Sequence, residues 1–513
     1  MGTVAVLHST FPKFLTPVEL PQKEADLIEE GLRLLSRDVL RFKSNEHISP
    51  VALQIPDCRA LDKSEEVAKQ IALALFPPKD DSQVARHSSF RKFTSIIRKL
   101  RHELHKDGFE QHVQKRELRA SLMSTTAENR PLATSILNPS AMPVEVAPKE
   151  ELQPFFDFLS KSSTPPSTPA QFGRGVMFPD GRMDFCKQVV GPAHIADLCK
   201  AVSKAQSTVR HFLLGNNICC DNNDSTGAHC IGDLMDRDDL EIETWYLAGN
   251  CMGADEVKIL CDKLKNSKHA RALWLKRNPV KAEGAAHLGD LLANNKLIKV
   301  LDLDGCGLRD EGVKSLIEPM LGAKELGLRH LYLGGNAIGV EGAKHLAEFL
   351  KTHPTRIKSL YLGVNRLGDA GAALIAEALQ GNTTIKRLFL PSNQLTSVSV
   401  KAIVDAALTC PNLKALNLGY YTSTWDMGEV PNAYGDQGAK ELLRLVKNHG
   451  CLEFLSVVNA GVTKEGFDLL TEAAGPNLYM PGGKTVMEAS LQFRRVKHPK
   501  RVVDIDSVYR TRM

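Results

Sequence analysis

The 513-residue sequence lacks any uninterrupted apolar run of the roughly 20 residues that a membrane-spanning helix requires. The longest near-candidate is IALALF at Ile71–Phe76, which is far too short. The first residues, MGTVAVLHST, contain neither a basic leading region nor a long apolar core, and Val6 stands where a myristoylation signal needs Ser or Thr. We therefore expect no transmembrane span, no secretory signal and no membrane partner.

The cysteines also lack a regular pattern. There are eleven, an odd number, and their irregular spacing favours reduced thiols and a cytoplasmic or nuclear location. Five potential zinc ligands lie close together in sequence but without paired C-x-x-C spacing: Cys219, Cys220, His229, Cys230 and Cys251. We expect structural thiols there and no metal site.

A strong charge excess is missing as well. The formal net charge is +5, and the segment from Lys484 to the end, with eight basic residues against three acidic ones, has the same excess. Arg86–Arg119 is another basic stretch, with ten Lys or Arg against four acids. A nucleic-acid or membrane-surface helix and a packed helix with a solvated basic face both fit it, and the missing binding motif favours the second.

Catalytic motifs are absent from the sequence. PGGKT at Pro481–Thr485 resembles the end of a P-loop, but Leu478 occupies the position of the first glycine. No nucleophile-elbow, zincin or kinase signature occurs. The sequence predicts no catalytic residue and no cofactor.

What the sequence does contain is a repeat. The first apolar residue of a recurring L-x-L phrase returns at intervals of 28 to 30 residues in seven of nine cases. The two longer intervals each contain an insertion, near Asp221–Ser225 and within Tyr420–Gly435. The ten markers are Met183, Phe212, Trp245, Leu273, Leu301, Leu331, Leu360, Leu388, Leu416 and Leu455. Such a period indicates a stack of similar units.

Each unit has two halves. The first alternates apolar and other residues like a short strand, and the second has helical spacing of small and aliphatic residues. An asparagine follows the strand in six units, where its amide can satisfy open backbone groups, so it is a structural requirement. These residues are Asn217, Asn250, Asn278, Asn336, Asn365 and Asn393, with Gln188 and Cys306 at the same place in two others.

The pattern L-x-x-L-x-L-x-x-N-x-L-G-x-x-G-A followed by a helix resembles the leucine-rich repeat of the ribonuclease-inhibitor type, from about Met183 to Ala474. Related arrays occur in NOD-like receptors and in the activating protein of the GTPase Ran. The resemblance implies an α/β solenoid, a horseshoe with a parallel concave sheet and outer helices.

The sequence divides into four predicted regions. Residues 1–123 form a helical region, with helices at Pro21–Phe42, Ser64–Phe76 and Ser82–Met123, and residues 124–171, rich in Pro, Ser, Thr and Ala, form a flexible linker. Residues 172–475 form the repeat domain, in which Phe172–Phe178 starts an N-terminal cap. Residues 476–513 form a basic cap or tail.

Candidate binding residues lie between the two leucines of each L-x-L phrase, because successive strand side chains point to opposite faces. Five of the central six are aromatic and are expected to lie exposed along the concave groove, where Ala248, Gly334 and Gly363 leave room for a partner. Charged residues beside them and a long aromatic loop add selectivity. The predicted partner-binding residues are Tyr246, Trp274, Lys276, Asp302, Tyr332, Tyr361, Arg387, Phe389, Tyr421 and Trp425.

The sequence therefore predicts a non-catalytic protein-interaction scaffold, with partners of unknown identity and nucleic acid disfavoured. Two alternatives stay open for the face: cover by the protein's own N-terminal region, or simple solvation. A third is regulation of a small GTPase, with Arg309 and Asp310, or Arg277, as the polar residues. The C-terminal tail disfavours this alternative, because it is basic where the Ran activator has an acidic run.

Overall fold

The computed structural model describes residues 146–220, 224–420 and 430–474, and the backbone of 490–492. The predicted helices within 1–123 and the P-loop-like PGGKT segment lie outside these residues. Within them, no helix is long and apolar enough to cross a bilayer.

Ten parallel strands and the helices that follow them form the repeat array. The strands are β3 Arg182–Asp184, β4 His211–Leu213, β5 Thr244–Tyr246, β6 Ala272–Trp274, β7 Val300–Asp302, β8 His330–Tyr332, β9 Ser359–Tyr361, β10 Arg387–Phe389, β11 Ala415–Asn417 and β12 Phe454–Ser456. The helices are α2 Gly191–Val202, α3 Thr226–Met235, α4 Ala254–Leu264, α5 Lys281–Asn294, α6 Arg309–Leu321, α7 Val340–Thr352, α8 Gly368–Leu379, α9 Ser397–Leu408, α10 Gly435–Asn448 and α11 Lys464–Ala474.

The strand register follows the sequence period. Each marker residue pairs with the marker of the next unit, from Met183 with Phe212 to Leu416 with Leu455. Both leucines of each phrase join one core with the helices, which therefore cover one face of the sheet. We call the opposite side, on which none of the described helices packs, the helix-free face. The predicted leucine-rich-repeat solenoid is confirmed.

Antiparallel strands continue the sheet at both ends. Strands β1 Ala170–Gln171 and β2 Val176–Met177 form a hairpin, and β2 pairs with β3. At the other end, β13 Ser490–Gln492 pairs with β12. Together they cover the strand edges that a parallel array leaves open.

The predicted flexible linker is wrong over Lys149–Lys161, which forms helix α1. Its apolar residues Leu152, Phe155, Phe156 and Leu159 are buried at the first repeat. The Phe155 ring lies 5.1 Å from that of Phe185 and nearly parallel to it. A first repeat needs an apolar cover on its open side, and α1 supplies it.

Buried asparagines connect successive units. Asn365 Oδ1 accepts hydrogen bonds from the backbone N–H of Asn336 (3.0 Å) and Ile338 (3.1 Å). Its Nδ2 donates to the carbonyls of Leu333 (3.0 Å) and Leu362 (2.9 Å). The amide thus satisfies four backbone groups where the chain leaves the sheet, which is the structural role expected from the sequence.

The unit with the second insertion also has such an asparagine, Asn432, which the sequence pattern did not predict. Asn432 Oδ1 accepts from Asn393 N (2.8 Å) and Leu395 N (3.1 Å). Its Nδ2 donates to the carbonyls of Leu390 and Leu418. The insertion therefore lies before the asparagine, and the repeat resumes its usual geometry after it.

Candidate functional site

The residues between the paired leucines lie on the helix-free face, as predicted. Tyr246 and Trp274 are buried but do not belong to the core shared with the helices. With Tyr332, Tyr361 and Phe389 they form a row across β5 to β10, which we call the aromatic stripe.

Neighbouring rings of the stripe contact one another. Tyr332 and Tyr361 stack with centroids 4.1 Å apart and planes 3° from parallel. Phe389 meets Tyr361 edge-on at 4.8 Å. Trp274 lies 5.2 Å from Tyr332, across the strand that carries Asp302 between them. Such contacts fix the ring orientations before any partner arrives.

The expectation of exposure is wrong for two of these five rings. Tyr246 and Trp274 are only 4% and 7% exposed, whereas Tyr332, Tyr361 and Phe389 are half-buried. A Cβ atom on Gly215 would lie 2.4 Å from the Tyr246 ring. The small residue therefore makes room for the protein's own ring, and strand alternation could not indicate that.

Asp302 is buried as well, at 2% exposure. Its Oδ1 accepts a hydrogen bond from Asp304 N at 2.9 Å and so supports the turn after β7. Asp304 in turn accepts from Gly334 N at 2.6 Å and lies 3.6 Å from Lys276 Nζ. The ion pair joins neighbouring repeats, although a partly exposed pair contributes little stability. Gly334 also accommodates the Asp304 carboxylate, since a Cβ atom there would lie 2.9 Å from Asp304 Oδ1.

Polar residues lie two positions before the stripe residues on β5, β8, β9 and β10, and together with His211 on β4 we call them the polar row. His330 Nδ1 lies 2.9 Å from Ser359 Oγ, and Arg387 Nη1 donates to the same oxygen at 3.4 Å. His211 Nδ1 lies 2.9 Å from Thr244 Oγ1 in the same way. Burial lowers the pKa of His211, so this imidazole is neutral at physiological pH and acts as a hydrogen-bond partner. The hydrogen bond to Ser359 also holds the Arg387 guanidinium group in place on the strand that carries Phe389.

Phe454, which was not predicted as a site residue, extends the row of rings beyond Phe389, with the two centroids 6.1 Å apart. It precedes the marker Leu455 instead of following it, so it does not belong to the residues between paired leucines. Tyr421 and Trp425 lie outside the described residues. Tyr434, which follows the same insertion, is 2% exposed and lies in the core at the start of α10. Its position after Asn432 matches that of Leu367 after Asn365.

In the cysteine-rich region, Cys219 and Cys220 lie in the hydrophobic core. Burial raises the pKa of the Cys219 thiol well above its usual range and that of Cys220 to about 12. His229 is exposed. Among the described residues, no group of three or more His, Cys, Asp or Glu side chains is arranged to hold a metal ion.

Thiol labelling provides a direct check. Because the thiolate is the reactive species, iodoacetamide at neutral pH should label the exposed Cys451 in the native protein and leave Cys219, Cys220 and Cys306 unmodified. Mass-spectrometric mapping before and after denaturation measures this. Rapid labelling of Cys219 in the folded protein would contradict the assignment.

The residues considered for GTPase regulation have structural contacts. Asp310 Oδ1 accepts from the backbone N–H of Gly339 (2.7 Å) and Gly342 (3.0 Å) at the start of α7. Two later units repeat this contact, where Asp369 accepts from Thr396 and Asp436 from Thr463. Asp310 thus belongs to the frame of the array. Arg309 begins α6 with a φ of 58° and lies 4.0 Å from Glu311.

Known proteins resemble the array. The sequence profile of the family described as "Leucine Rich repeat" matches residues 294–316 and 328–347. "NACHT, LRR and PYD domains-containing protein 9" of Bos taurus is 29% identical over 263 residues, covering 45% of this chain and 23% of the relative. "Ribonuclease inhibitor" of Sus scrofa is 28% identical over 228 residues, covering 39% of this chain and 49% of the relative.

The human "NACHT, LRR and PYD domains-containing protein 13" is 32% identical over 208 residues, covering 40% of this chain and 18% of the relative. The chain thus spans between about a fifth and a half of the lengths of these relatives. This similarity supports the same assignment as the strand register, the asparagine contacts and the alternation of strands and helices. The chain is a leucine-rich-repeat protein whose repeats are similar to those of the ribonuclease inhibitor and of the NACHT, LRR and PYD domains-containing proteins.

Proposed function

We propose that this protein is a non-catalytic scaffold that binds another protein on its helix-free face. The observation that carries the proposal is the half-buried row of Tyr332, Tyr361 and Phe389, whose rings are fixed by mutual contacts. Aromatic side chains supply much of the energy at protein interfaces, and rings already held in place lose little conformational entropy on binding.

The shape of the site favours a macromolecular partner. The three rings occupy adjacent strands of an extended sheet, so their exposed edges form a surface instead of an enclosed pocket. Arg387 lies at its border, on the same strand as Phe389, where a charged group can select a partner's acidic residue. The pig relative, as its name states, inhibits ribonuclease and so acts on another protein.

The buried part of the stripe has a supporting role in this proposal. Trp274 contacts Tyr332 from one side and is itself contacted by Tyr246, and Asp302 supports its own turn. We propose a location inside the cell, since the cysteines favour a reducing compartment. Tyr421, Trp425 and the predicted helices within 1–123 remain predicted contributors to binding or to autoinhibition.

Affinity capture with quantitative mass spectrometry tests the proposal. The triple variant Tyr332→Ala/Tyr361→Ala/Phe389→Ala should reduce capture of the main protein partner at least about tenfold, because it removes the central anchors. Thermal melting must show that the variant is folded.

The matched control is Val398→Ala/Leu469→Ala, which removes two exposed apolar side chains from α9 and α11 on the helical side. It should capture the partner as the unmodified protein does. Equal capture by the folded triple variant would show that the stripe is not the binding surface.

A further inference from the structure

A second row of like residues crosses the sheet two positions before the marker leucines. In six consecutive units this residue is basic, and we call the row the basic rim. Its members are Arg271, Lys299, Arg329, Lys358, Lys386 and Lys414. The equivalent residues before and after it are Glu243 and Glu453. The run of positively charged residues therefore begins and ends at defined repeats.

Main-chain hydrogen bonds connect the basic rim from residue to residue. Lys299 N donates to Arg271 O at 2.7 Å, and Arg329 N donates to Lys299 O at 2.8 Å. The same bond continues through Lys358, Lys386 and Lys414 at 2.7 to 2.9 Å. Since hydrogen-bonded strands lie about 4.8 Å apart, the six side chains form a line roughly 24 Å long.

Among the described residues, no carboxylate neutralises the middle of this line. Within the described part of the chain, Arg271, Lys299, Arg329 and Lys358 form no ion pair. The Arg271 and Arg329 guanidinium groups and Lys299 Nζ instead donate to backbone carbonyls. At the ends, Glu243 pairs with Arg210 and Glu453 with Lys414.

The basic residues also repel one another. Burial lowers the pKa of Lys299, and the charges of Arg329, Arg271, Arg356 and Lys358 lower it further. Like charges on adjacent strands destabilise a sheet, so fold stability does not account for this row.

We propose that the basic rim binds an extended acidic segment of a protein partner. The proposal rests on the proposed function, because the rim lies beside the aromatic stripe, with the polar row between them. A line of roughly 24 Å matches about seven residues of extended polypeptide.

Nucleic acid fits this surface less well. Single-stranded nucleic acids bind where a basic groove lies beside aromatic faces on which bases stack. Here the faces of Tyr332 and Tyr361 are already stacked on each other, with their planes 3° apart. The net charge of +5 for 513 residues is also low for a nucleic-acid-binding protein.

Fluorescence anisotropy of the full chain at low salt tests the rim. The probe is a labelled peptide of roughly eight glutamates, a length matched to the line. The rim variant Lys299→Glu/Lys358→Glu/Lys386→Glu should bind it at least about tenfold more weakly. The control Lys200→Glu/Lys440→Glu/Lys447→Glu changes the net charge equally at three exposed lysines of α2 and α10 and should change binding less than about twofold.

Three outcomes would overturn the proposal. The first is an equal weakening of peptide binding in the rim variant and the control. The second is rim-dependent binding of a single-stranded oligonucleotide of matched length that is tighter than peptide binding, and the third is rim-dependent binding of phosphatidylserine vesicles without peptide binding. The triple alanine variant of the stripe separates the two proposals. It should retain the peptide while losing the captured partner. If the unmodified protein fails to bind the peptide and the stripe variant still loses the partner, only the rim proposal fails.

Discussion

Replacing Asn365 by alanine should lower the free energy of unfolding by about 3 to 4 kcal/mol. The side chain is buried and makes four hydrogen bonds to backbone groups of neighbouring turns. Alanine leaves those groups without these partners, and each buried polar group left unpaired costs about 1 to 3 kcal/mol. Urea denaturation followed by circular dichroism measures the change.

Asn412→Ala is the matched control. This asparagine is exposed and donates one hydrogen bond, to Thr383 O at 2.7 Å. Its replacement should cost no more than about 1 kcal/mol. If Asn365→Ala proves as mild as the control, the asparagines do not connect the units as described.

Phe155→Ala should destabilise the array by about 3 to 5 kcal/mol, the range for a buried phenylalanine. The ring is fully buried and contacts Phe172 and Phe185 at 4.9 and 5.1 Å. Because it covers the end of the core, its loss should expose the first repeat to water and allow local unfolding there. Hydrogen exchange should show lost protection in β3 and α2 before other repeats.

The control in the same helix is Gln153→Ala. Gln153 is only partly buried, and its side chain bonds to the exposed Asp157. Its replacement should change stability by less than about 0.5 kcal/mol. A small effect of Phe155→Ala would mean that α1 is not a necessary cover and that residues 149–161 act as the linker first expected.

The repeat frame was predictable because the same requirement recurs in every unit. Marker residues as different as Met183 and Trp245 fall into one register, since each must fill the same layer between sheet and helices. Repetition thus compensates for the variation of any single residue, and the period is sufficient to place the strands and helices.

Two parts of the frame were not found from the sequence, for different reasons. Helix α1 was not predictable from composition, because its four buried residues lie in a Pro- and Ser-rich stretch. Asn432 was hidden by the insertion before it, which shifts it away from the expected interval. The match is visible once the insertion is set aside, since NAYGDQGA at residues 432–439 parallels NRLGDAGA at residues 365–372.

The sequence predicted on which face of the sheet the candidate-site residues lie, but not how far each of them is buried. Alternation along a strand places Tyr246 and Phe389 on the same face, and the structure agrees. How far each ring is covered depends on its neighbours, such as Gly215 beneath Tyr246, and a strand pattern carries no information on those contacts. The basic rim was visible in the sequence as a column, but only the register shows that its members are adjacent.

Site-specific photo-cross-linking tests the central claim, that the helix-free face holds a protein partner. A photoreactive phenylalanine analogue at Phe389 lies on that face, and the same analogue at Val398 lies on the helical side of the same repeat, where the side chain is 71% exposed. The account predicts a cross-linked protein adduct from position 389 and none from position 398. Adducts to the captured partner from position 398 alone would contradict it.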